Sequence, residues 1–176
     1  LPGGRWPADT LAVFAARLAN GVLTAARRVG PRAPARLASG ETLLVFRAGT
    51  AACTSWHNGY TYLDTLNPRA VRAFLRVTHA AYAKRFGRLF GGVIPGIFTD
   101  EPHFHPDRPN RPTGPVAGSL PWTPALPRVF RARYGYALLA HLPELFFDLP
   151  DGAPSRARYH FYDTVTQLFT DAFARQ

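Results

Sequence analysis

The segment Val93-Ile94-Pro95-Gly96-Ile97-Phe98-Thr99 runs into Asp100-Glu101-Pro102, and this junction constrains the fold more than any other stretch of the chain. A nearly continuous apolar run reads as a strand buried on both faces, the kind covered by helices in parallel sheets. Pro95 is the one residue that fits such a strand poorly. A carboxylate at the C-terminal end of a barrel strand is held at the mouth where substrates bind. Glu101 is therefore the candidate catalytic acid or base, its longer side chain reaching past the strand end. Successive strand residues point to opposite faces, so Asp100 and Glu101 cannot be the two opposed carboxylates of one site. The competing reading is a solvated strand end at which Asp100 caps the turn.

Upstream, Asn67 is a good helix N-cap and Pro68 suits the first helical position. Val71, Phe74, Leu75, Thr78, Tyr82 and Phe86 recur at three- and four-residue spacing up to Gly87, predicting one amphipathic helix over 68–86. Tyr60-Thr61-Tyr62-Leu63 reads as a short strand ending at Asp64, which offers a second carboxylate. Asp64 could equally bind a sugar hydroxyl or cap the turn before Asn67. Residues 102–121 are a proline-rich loop, and loops of such length usually carry function. Helices are predicted from Thr123-Pro124 to Tyr134-Gly135, from about Ala137 to Leu142, and from Ser155 onward.

Near the N-terminus, Asn20-Gly21 separates two apolar-rich segments and is the strongest short hairpin signal. Glu41 to Arg47 supplies a third strand after a Pro/Gly/Arg loop. Residues 1–50 thus read as a small antiparallel β insert or extension, and 51–176 as part of a barrel.

Sugar sites need flat apolar rings against C–H faces and polar groups at their edges. Trp56, His57, Asn58 and Tyr60, before the short strand, supply both, as does Trp122 after the long loop. Either tryptophan could instead fill the core. His103 and His105 flank Phe104 close to Glu101. With Asp107 they make at most a partial metal site, so no metal or other cofactor is expected. No phosphate-cradling glycine loop and no Gly-x-Ser-x-Gly elbow occurs.

Lys and Arg outnumber Asp and Glu by 21 to 11, for a net charge of +10. The arginines are scattered among apolar residues rather than gathered in a basic tract, which argues against nucleic acid as the partner. No run approaches the roughly 18 to 20 apolar residues of a membrane span, so no membrane partner is expected. The single Cys53 excludes an intrachain disulfide and says little about compartment. A soluble protein is expected, the cytoplasm favoured over export.

The segments Trp56-His57-Asn58-Gly59-Tyr60 through Asn67-Pro68, Phe74-Leu75-Arg76-Val77-Thr78-His79 with Phe86-Gly87, and Ile94 to Pro102 carry a family resemblance. Leu120-Pro121-Trp122-Thr123 and Phe130 to Tyr136 continue it. Together they resemble large bacterial glycosyl hydrolases similar to the α-L-rhamnosidase-type (β/α)-barrel enzymes, over Trp56 to Phe173. The resemblance implies an α/β fold, a partial (β/α)8 TIM barrel, and hydrolysis of a glycoside such as an α-L-rhamnoside. Some members of that type are calcium-assisted, but no calcium loop is legible here. A complete barrel takes roughly 250 residues, and the chain has 176 and no methionine. A fragment is therefore expected, inactive alone and completed by polypeptide beyond Gln176. The alternative functions are a non-catalytic carbohydrate-binding barrel domain and, more remotely, a basic nucleic-acid-binding protein.

Overall fold

The computed structural model describes residues 6–30, 36–100, 102–104 and 118–175. Its sheet has three antiparallel strands, β1 (Thr10–Ala19), β2 (Val22–Arg28) and β3 (Thr42–Arg47), in the order β2-β1-β3. Five α-helices follow among the described residues: α1 (Pro68–Val77), α2 (His79–Phe86), α3 (Leu126–Tyr134), α4 (Leu142–Phe146) and α5 (Arg156–Ala174).

The hairpin forms where Asn20-Gly21 directs it. Both residues take positive φ, 52° and 82°, which is the demand of a tight two-residue turn between twisted strands. β1 lies in the middle, and Ala12 through Ala16 are all buried. At the rim, the Arg27 guanidinium binds both carboxylate oxygens of Glu41, and Arg47 does the same to Asp9. Arg27, helped by the Ala38 N–H, holds the Glu41 carboxyl down at about 2. Arg47 likewise lowers that of Asp9.

One core joins the sheet to α3, α4 and α5. Ala12 and Phe14 of β1 share it with Leu126 and Phe130 of α3, Leu142 and Leu145 of α4, and Phe161 and Val165 of α5. Phe130, Phe161 and Val165 are fully buried. The rings continue outward, with Phe14 edge-on to Phe46 and Phe46 tilted against Phe146. Helix α5 starts where Ser155 accepts from the Arg158 N–H. Its His160 stacks on Tyr134 with ring centroids 3.7 Å apart and pairs with the Tyr136 hydroxyl, tying α5 to the end of α3. Burial, and for Tyr134 also the nearby Asp163 carboxylate, pushes both phenols up.

The expected (β/α)8 barrel is not the fold. A barrel requires parallel strands alternating with helices, whereas the three strands among the described residues are antiparallel and precede α1. Residues 93–99, expected as a buried strand, form no strand and lie in the open, with Val93 79% and Phe98 86% exposed. The reason is local. Gly91 takes positive φ and its N–H donates to Ile94 O, while Ile94 N–H returns to Leu89 O, closing a tight turn. Pro95 then withholds a ladder donor. Tyr60 makes one bridge to Thr54 and the strand expected at 60–63 goes no further. The helix expected over 68–86 is broken at Thr78, whose hydroxyl bonds the Phe74 carbonyl 2.7 Å away and whose ψ swings to −83°.

Candidate functional site

Two turns and one short segment build the region that the sequence singles out. In the first turn, Thr54 caps a single 3₁₀ turn over Ser55–His57, its hydroxyl accepting from His57 N–H and meeting His57 Nδ1 at 3.0 Å. Asn58 and Gly59 both take positive φ, so the chain reverses and Thr54 pairs with Tyr60. A reversal this tight leaves the intervening side chains outside: Trp56 is 89% exposed and Tyr60 74%. His57 turns inward and its ring lies 5.1 Å from that of Tyr62.

The second turn leads into α1. Asp64 accepts from Leu66 N–H through Oδ1 and from the Thr123 hydroxyl through Oδ2. One oxygen therefore holds the backbone of its own turn and the other a side chain of the segment before α3. Leu66 is buried in the main core, and Asn67 caps α1 by accepting from Arg69 N–H. The turn is thus anchored below by a leucine and to the side by a threonine from the segment before α3.

His103 closes the arrangement. Its imidazole stacks on the Tyr62 ring, with centroids 4.4 Å apart and planes 7° from parallel. Its carbonyl accepts from the Thr65 hydroxyl, and its N–H donates to the Tyr62 hydroxyl. His57, Tyr62 and His103 consequently form a continuous row of rings, and the strongly exposed Trp56 and Tyr60 sit in the same turn as His57.

No protein-family model, curated protein or solved structure matches this chain. Nothing found by comparison therefore bears on the rhamnosidase-type resemblance. The structure brings together Trp56, His57, Asn58, Tyr60, Asp64 and His103 in two turns and one short segment. Trp122 takes another role, packing partly buried against the main core. Asp100 is exposed. Glu101, His105 and Asp107 lie outside the described residues. Among the described residues, no group of three or more His, Cys, Asp or Glu is arranged to hold a metal ion.

Three participants went unrecognised as site residues in the sequence. Tyr62 was visible as the second ring of Tyr60-x-Tyr62, and Thr65 and Thr123 had no signal beyond their polarity. What the arrangement can do chemically is present ring faces and two imidazoles at a fixed spacing. Among the described residues it presents one carboxylate, that of Asp64.

Proposed function

We propose that the chain binds carbohydrate through the turn bearing Trp56 and Tyr60 and the ring row His57, Tyr62 and His103. The observation that carries this reading is the nearly complete exposure of Trp56 beside rings whose positions are fixed by hydrogen bonds. Exposed indole and phenol faces suit the C–H surface of a pyranose. Large apolar side chains held in solvent on a braced turn are more economically explained by a ligand than by folding. Calorimetric titration with rhamnose-containing oligosaccharides tests it: binding that disappears in Trp56→Ala supports the reading, and binding unaffected by Trp56→Ala together with Tyr60→Ala defeats it.

Hydrolysis of a glycosidic bond, possibly of an α-L-rhamnoside, is the second reading. Its support is that Glu101 is bonded two residues before His103, a member of the ring row. Glu101 would then be the acid or base, and Asp64, with both oxygens occupied, would position the turn instead of exchanging protons. Release of nitrophenol from an aryl rhamnoside, abolished by Glu101→Gln with sugar binding retained, supports this step. Turnover unchanged in Glu101→Gln removes Glu101 from it.

A further inference from the structure

We infer that α1, α2 and the segment through Phe98 form a peripheral docking surface for an anionic lipid bilayer. Between Asp64 and Asp100 the chain carries no acidic residue but six basic ones, Arg69, Arg72, Arg76, Lys84, Arg85 and Arg88. All six are exposed, and among the described residues none has an ion-pair partner. Elsewhere Arg27, Arg47, Arg133 and Arg158 are paired with carboxylates, which this arm lacks.

The same arm displays apolar side chains that nothing among the described residues covers. Helix α2 buries no residue at all, and its Tyr82 and Phe86 lie one turn apart with ring centroids 6.0 Å from each other. By the 3.6-residue period Lys84 lies on the opposite side of this helix and Arg85 flanks the aromatic pair. In α1, Arg69, Arg72 and Arg76 share one stripe for the same reason, away from Phe74 and Val77. Val77, Val93, Ile97 and Phe98 are all more than half exposed.

Charge alone would suit nucleic acid, but exposed valine and isoleucine find no counterpart in phosphates or stacked bases. They do in the acyl boundary below anionic headgroups, where a basic amphipathic helix buries its apolar side while its cations stay at headgroup level. Peripheral contact of this kind needs no spanning helix, and none of the described helices is long and apolar enough to be one.

The test is flotation of the whole chain with phosphatidylcholine vesicles, with and without phosphatidylserine. Flotation only with phosphatidylserine is expected. Lys84→Glu with Arg85→Glu should weaken partitioning by about tenfold or more, and Val93→Ser with Phe98→Ser should weaken it comparably. Those serines replace exposed side chains, and unchanged circular dichroism confirms that the fold survives. Equal flotation with neutral vesicles, no flotation, or flotation insensitive to the serine pair would overturn the inference. So would retention on RNA that competes fully with the vesicles.

Discussion

The hydroxyl of Thr123 donates to Asp64 Oδ2 at 2.9 Å, joining the turn before α1 to the segment before α3 across 59 positions of sequence. Thr123 is itself almost completely buried, at 1% exposure, so this bond is the main claim on its hydroxyl. The candidate second carboxylate thereby also clasps two distant segments together. Both oxygens accept, one from Leu66 N–H and one from the Thr123 hydroxyl.

Removing the clasp has a definite expected cost. Asp64→Ala leaves a buried hydroxyl and a backbone N–H without their acceptor, and should destabilise the fold by about 1–3 kcal/mol. Thr123→Val, which removes the partner and keeps the shape, should cost less. Chemical denaturation of both variants checks the order; a larger loss in Thr123→Val would show that the hydroxyl has another use.

The core linking sheet and helices should be sensitive to truncation at α5. Phe161 is fully buried among residues of β1, α3 and α4, so Phe161→Ala should cost roughly 3–5 kcal/mol. If sheet and helices share one core, thermal unfolding followed separately by signals from β1 and α5 should move together. Separate transitions would argue against the shared core.

The hairpin turn offers a conformational test. Gly21 sits at φ 82° with open space around it, so a side chain there meets no neighbour but does meet backbone strain. Gly21→Val should therefore destabilise by about 1–2 kcal/mol, with the loss appearing in β1 and β2 amide protection. A neutral effect would mean that the turn can relax.

Acid should weaken the sheet rim through Glu41. Arg27 lowers the folded carboxyl from 4.5 to about 2, so folding favours the ionised form. The stabilisation is present above pH 4.5 and is lost as pH falls through about 2. The difference in melting temperature between the native chain and Glu41→Gln should narrow over that window. A difference that stays constant would show that the Arg27 contact contributes nothing in solution.

Local chemistry made part of this fold legible. Asn20-Gly21 fixed the hairpin, Asn67-Pro68 fixed the start of α1, and Ser155 capped α5, because each acts on its immediate neighbours. The barrel expectation failed where a decision depended on distant partners. Val93 to Thr99 has the composition of a buried strand, yet composition cannot say whether a neighbouring strand exists, and Gly91 and Pro95 favour a turn over pairing. The break at Thr78 was similarly hidden within an unbroken apolar period.

The candidate site divides along the same line. Trp56, His57, Tyr60 and His103 were legible as ring-bearing residues in loops. That His103 stacks on Tyr62, 41 positions earlier, could not be read from spacing. Nor could the occupation of both Asp64 oxygens.

The central claim is that the Trp56 turn and the ring row form a sugar-binding face, and proton NMR of the chain titrated with methyl α-L-rhamnoside addresses it most directly. Saturable shifts of the Trp56 indole and the His57 and His103 ring protons are expected, with the buried Phe161 signals unmoved. Ring resonances that stay fixed at saturating concentrations of this glycoside, and of other common methyl pyranosides, would contradict it.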